Sequence, residues 1–71
     1  MTTTTRIAPG HYEVELHGRT VLIDRFEHLD ARYGQWVARA EWDKHTYTDP
    51  LFTLAEAKRQ AQYMLDEVAQ G

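Results

Sequence analysis

Residues 12–17 alternate apolar and polar side chains, with Tyr12, Val14 and Leu16 on one parity and Glu13, Glu15 and His17 on the other. A period of two predicts a half-buried strand. Gly18-Arg19 interrupts it, and residues 20–26 resume with Val21 and Ile23 on one parity and Leu22 and Phe26 on the other. Two β-rich runs joined through a glycine predict a hairpin with a two-residue primed turn. The second run is apolar on both parities, which predicts a central strand or one with something on each face. After a longer loop over 27–34, with Gly34 as its exit, residues 35–42 predict a third strand. Trp36, Ala38, Ala40 and Trp42 share one parity there, and Val37, Arg39 and Glu41 the other. Residues 43–46 read as a turn, and Tyr47-Thr48 as a short extended piece that Asp49-Pro50 ends.

From residue 53 the period changes to that of a helix. Thr53-Leu54-Ala55-Glu56 fits a capping box, in which the Thr hydroxyl and the Glu carboxylate serve otherwise unpaired amides. Leu54, Ala57, Ala61, Leu65 and Val68 then recur at spacings of three and four, one apolar stripe running to about Ala69. Phe52 is placed to staple the start of this helix. Thr48, outside the cap, is expected to tolerate replacement better than Thr53. Ala57 and Ala61 allow a close approach to a partner surface, and Ala38 and Ala40 offer a matching shallow strip, with Trp36 and Trp42 flanking the helix. The expected fold is α+β, a three-stranded antiparallel β-meander with one C-terminal helix on one face, β-β-β-α, with all connections local. Val14, Ile23, Ala38 and Ala40 are the expected floor beneath the stripe.

Residues 1–10 read as a flexible N-terminal tail. The Thr2-Thr3-Thr4-Thr5 run has no apolar alternation, and Pro9-Gly10 is a turn signal that ends it. Arg6 is the tail's one charged side chain, which is too little for a DNA-grasping arm. Residues 11–71 then form the single domain.

Composition narrows the function. In 71 residues, eight Lys and Arg stand against eleven Asp and Glu, a net charge of −3, opposite in sign to a basic nucleic-acid module. The absence of cysteine removes disulfides, thiolate metal sites and cysteine nucleophiles together. No apolar run approaches the ~18–20 residues of a membrane span, and the start lacks the profile of a secretory signal. A cytoplasmic protein without a membrane partner is expected. A chain this short buries only about 60% of its unfolded surface, which raises the expectation of a protein partner or a homodimer.

Candidate chemistry is sparse. Serine is absent, and so are glycine-rich phosphate loops and nucleophile elbows. Glu13 and Glu15 read as a solvated strand edge. His11, His17, His28 and His45 are scattered, and Asp43 with His45 supplies two metal ligands where a site needs more. No catalytic residue, metal or cofactor is therefore expected. The surface that stands out is the sheet face away from the helix. If Val14, Leu16, Val21, Ile23 and the two tryptophans point inward, then Leu22, Phe26 and Val37 point outward beside charged neighbours. Leu22, Phe26, Val37, Arg39 and Glu41 form the candidate partner-binding patch. Two arrangements are open: the patch is bare, or the 27–34 loop folds back and covers it with Leu29 and Tyr33.

Three strands followed by a helix, with Gly34 ahead of Trp36 on the third strand and Phe52-Thr53 followed by Ala55, Ala57 and Ala61, bring a resemblance over residues 12–69. The layout resembles the three-stranded DNA-binding domain of plant ethylene-response factors, which is also the arm-binding domain of tyrosine integrases. That resemblance implies a sheet whose exposed face reads the major groove through arginines and aromatics. The equivalent face here carries Glu13, Glu15, Asp24 and Glu41 against Arg39 and Arg19, so nucleic acid is the disfavoured partner. The chain is also similar in style to small accessory proteins encoded by phages of actinobacteria. The Thr-rich start, the Pro-Gly before the first strand, the preference for Arg over Lys and the Asp-Pro-Leu ahead of the helix carry this likeness. It implies a cytoplasmic, non-enzymatic protein that binds a host or phage protein. The expected function is a small protein-interaction module. A DNA-binding adaptor using an integrase-arm-like sheet is the alternative.

Overall fold

The computed structural model describes residues 3–70. Its elements are β1 (Thr3–Ala8), β2 (His11–Leu16), β3 (Arg19–Arg25), a 3-10 turn (Ala31–Tyr33), β4 (Trp36–Ala40) and α1 (Leu54–Gln70). The four strands form one antiparallel sheet in the order β1-β2-β3-β4. The class is α+β, as the periodicities predict, with one strand more than the three expected.

The additional strand is β1, in the segment read as a tail. Residues 1 and 2 of that segment lie outside the described residues, and residues 3–8 pair with β2 from Thr3 opposite Glu15 to Ala8 opposite His11. Pro9-Gly10 reverses the chain, with Gly10 at φ 77°. Arg6 faces Tyr12 and Ala8 faces His11, so Ile7 is the extra residue of a bulge. The physical reason for the missed strand lies in coverage. The helix contacts β2, β3 and β4, so no helix lies over β1 to select apolar side chains on alternate positions. A run of β-branched threonines suits a pleated backbone without that alternation.

At the next reversal Leu16 pairs with Arg19, leaving His17 and Gly18 as the two loop residues. Both have positive φ, 55° and 75°, which defines the primed turn and places it one residue earlier than the Gly18-Arg19 of the sequence reading. Val14, Leu16, Val21, Ile23, Ala38 and Ala40 are buried on the sheet's inner face, and Ala57, Ala61 and Leu65 are buried on the helix. Ile23, Leu65, Val14 and Val21 are the largest fully buried side chains, each contributing about 1.5–3 kcal/mol by leaving water. Leu54 and Val68, the ends of the expected stripe, are half-buried. Trp36 and Trp42 are also half-buried and pack against this core.

Thr53 caps the helix: its Oγ1 accepts from the Glu56 backbone N–H at 3.1 Å. Phe52, expected to staple the helix start, is instead 62% exposed, and Leu51 packs against the core. The reason is that Leu51 is tied to β4, exchanging backbone hydrogen bonds with Trp36 at 2.7 and 3.0 Å. That pairing turns Leu51 inward and its successor outward. Thr48 is not inert either, because its Oγ1 accepts from the Ala38 N–H at 3.1 Å.

Two substitutions test this architecture. Thr53→Ala is expected to destabilise by about 0.5–2 kcal/mol through loss of the cap, and Thr48→Ala by about 1 kcal/mol through the amide it strands. Thermal denaturation measures both. Gly34→Ala is expected to cost more than either, since a Cβ there would lie 2.6 Å from the Leu51 carbonyl oxygen with φ at 99°. An unchanged melting temperature in Gly34→Ala would show that the 34–51 contact does not hold the fold.

Candidate functional site

The sheet's second face is built by the same alternation that builds the core. Thr5, Glu13, Leu22, Arg39 and Tyr47 stand opposite one another in a single row across the sheet. In the next row, His11 Nδ1 lies 2.6 Å from Asp24 Oδ1, and Arg39 Nη2 lies 3.7 Å from Asp24 Oδ2. The lower part of this face is thus a polar, partly neutralised surface, to which such exposed pairs add little stability.

Toward the β3–β4 connection the character changes. Phe26, His28, Leu29, Val37, Tyr47, Thr48, Asp49 and Pro50 line an open cleft of about 340 Å³ with largely apolar walls. Local contacts shape it. Phe26 leaves β3 on the outward parity, its N–H donating to the Gln35 carbonyl at 2.8 Å, and its ring meets His28 edge-on at 5.7 Å. The Gln35 amide then fixes the loop, donating from Nε2 to the Leu29 carbonyl at 2.9 Å and to the Glu27 carbonyl at 3.3 Å, while Arg25 donates to its Oε1.

The opposite wall comes from residues 46–51, which run back along β4. Ala40 N–H donates to the Thr46 carbonyl at 2.9 Å, and Thr48 N–H to the Ala38 carbonyl at 2.9 Å. The turn that starts this return is held by Asp43. Its carboxylate accepts from the His45 N–H at 3.0 Å and from the Thr46 hydroxyl at 2.8 Å. The His45 amide first, and the Thr46 hydroxyl second, hold this carboxyl below its ordinary value. On the other loop Arg32 does the same to Asp30, through its side chain at 2.7 Å and its own backbone N–H.

The five residues of the expected patch do not gather in one place. Phe26, 37% exposed, and Val37 line the cleft. Leu22 and Arg39 face each other across β3 and β4 beside it. Glu41 sits at the other end of the sheet, in a separate polar groove of about 420 Å³ with His17, Arg19, Thr20 and Trp42. There Arg19 lies over the Trp42 ring at 5.4 Å. The question left open by the sequence, whether the 27–34 loop covers the patch, resolves into a wall rather than a lid. Leu29 lines the cleft, whereas Tyr33 is 70% exposed. Tyr47 and Pro50, which complete the cleft, were invisible to strand parity because they belong to an irregular segment. The one available signal was Tyr47-Thr48 read as a short extended piece.

Compared with protein-family models, with curated proteins and with solved structures, the chain matches none. Among the described residues, no helix is long and apolar enough to cross a membrane.

The Asp43 turn gives a pH dependence with a definite sign. A carboxyl whose folded-state pKa lies below its unfolded value of about 3.9 contributes fully above that value and loses its contribution as pH falls through the depressed one. Protection of the His45 amide against hydrogen exchange is therefore expected to be constant from neutral pH to the ordinary carboxylate range and to fall below it. In Asp43→Ala the protection should be low throughout. A wild-type amide that opens near neutral pH would contradict the assignment.

Proposed function

We propose that this chain is a non-enzymatic protein-interaction module that engages its partner through the cleft on the outer sheet face. One observation carries the reading: Phe26, Leu29, Val37, Tyr47 and Pro50 form an open apolar cleft on the face opposite the helix. Interfaces draw most of their energy from a few aliphatic or aromatic anchors seated in such pockets. Water leaving these side chains would supply the driving force. Asp24, paired with His11 and Arg39, would lie at the rim, where charges set orientation more than affinity.

The alternative, a DNA-binding adaptor, gains less support. The outer face sets Glu13, Glu15 and Asp24 against Arg39, and carboxylates facing phosphates oppose the ion release that drives such binding. The likeness to phage accessory proteins agrees with the same interaction reading and supplies the class of partner, a host or phage protein in the cytoplasm.

The deciding variant is Phe26→Asp. A charge in this open position should leave the far-UV circular dichroism and the melting temperature nearly unchanged. In a dry interface the same charge costs several kcal/mol. A protein recovered with the wild type but lost with both Phe26→Asp and Val37→Asp is the expected result. Retention of every bound protein by both folded variants would remove the cleft from consideration. No binding to random duplex DNA at low salt is expected, and salt-sensitive micromolar binding would favour the adaptor.

A further inference from the structure

The two edges of the sheet are not equivalent. The β4 edge is closed, because residues 46–51 hydrogen-bond to it at Ala40, Ala38 and Trp36. The β1 edge has no such cover among the described residues. Its outward-facing backbone groups follow from the ladder alternation. Leu16 and Arg19 close the two-residue hairpin, so Tyr12, Val14 and Leu16 bond toward β3. The Arg25 N–H donating to the Gly10 carbonyl at 2.8 Å continues the same parity. Glu13 and Glu15 therefore bond toward β1, where their partners are Thr5 and Thr3. That leaves the N–H and C=O of Thr4 and Arg6 pointing away from the sheet.

Proteins usually protect such an edge with Lys, Pro, inward charges or a bulge. Thr3, Thr4 and Thr5 are exposed, uncharged and β-branched; Arg6 is the strand's one charged residue, and the bulge at Ile7 comes after it. We propose that β1 pairs antiparallel with β1 of a second copy, joining two sheets into one across a two-fold axis at Thr5. In that register Thr4 of each copy exchanges backbone hydrogen bonds with Arg6 of the other, and the two Thr5 side chains meet on the outer face. Thr3 stands opposite the bulged Ile7, which is 57% exposed.

The edge itself selects a second copy over a foreign strand. Capture of a foreign strand draws its specificity from side-chain pockets along the edge. Neither of the grooves described above is lined by β1. Self-pairing needs no pocket, because the outward groups recur symmetrically. No like charges stand directly opposite each other: each Arg6 faces a Thr4, and the two Arg6 residues are diagonal neighbours, about 7–8 Å apart at the backbone. The two Glu13 rows lie three strand spacings apart, about 14 Å, beyond a Debye length at physiological salt.

Sedimentation velocity of the full chain over micromolar to millimolar concentrations tests this, and Thr5→Lys is the sharpest variant. Within one copy the new ammonium faces Glu13 and should leave the melting curve intact, whereas across the two-fold axis it faces itself. A wild-type dimer whose Kd rises about fivefold or more in Thr5→Lys is expected. Thr4→Pro should give a folded monomer, since it removes an outward N–H and leaves the β1–β2 ladder whole. Phe26→Asp should remain dimeric, which separates this surface from the cleft. A wild type that is monomeric throughout, or a dimer equally tight in folded Thr5→Lys and Thr4→Pro, overturns the proposal.

Discussion

Everything in this molecule depends on how closely the helix can approach the sheet. Ala57 and Ala61 on α1 and Ala38 and Ala40 on β4 are all buried, and none carries a side chain beyond Cβ. With the backbones brought near, the larger residues (Val14, Val21, Ile23 and Leu65) close around the contact, and the tryptophans seal its margins. A domain this small has little apolar surface to spend on a thick core. Short side chains at the centre and long ones around it reach interior packing density with few residues.

That single covered face decides the character of the other. Period-two alternation means that a strand buried on one side must present its remaining residues to the opposite side. The helix takes Val21, Ile23, Ala38 and Ala40, so β3 and β4 offer Leu22, Asp24, Val37 and Arg39 outward, and Phe26 follows β3 on the same parity. On most small sheets this second set would be wholly polar. Here the polar rows around Asp24 give way to apolar walls where the connections before and after β4 meet, and the cleft forms there.

The elements that share a core were readable from residue patterns, because burial imposes a period. The helix and the inward parity of three strands follow from that, whereas the threonine cap and the primed turn, read one residue late, rest on local residue chemistry. Where no partner surface imposes a period, the pattern is silent. Beyond the helix, β1 alternates nothing, and residues 46–51 join β4 chiefly through backbone bonds, with one further bond from the Ala38 N–H to the Thr48 hydroxyl. The candidate patch was half legible for the same reason. Parity put Phe26 and Val37 on the correct face but carries no information about distance along it. Glu41 therefore lies in a different groove, and the walls from Leu29, Tyr47 and Pro50 required the paths of two loops.

The order of elements along the chain has a consequence for the protein's birth. Neighbouring strands are joined by short reversals, so the β1–β3 meander involves local pairings of the kind that form quickly. Its apolar face is covered by the element translated after all four strands. During synthesis, Val14, Leu16, Val21 and Ile23 are thus made before Ala57, Ala61 and Leu65, the residues that cover them. Translation runs at about 5–20 residues per second, so this interval lasts a few seconds in each round. Until the helix docks, the apolar face of the sheet has no cover from any of the earlier elements.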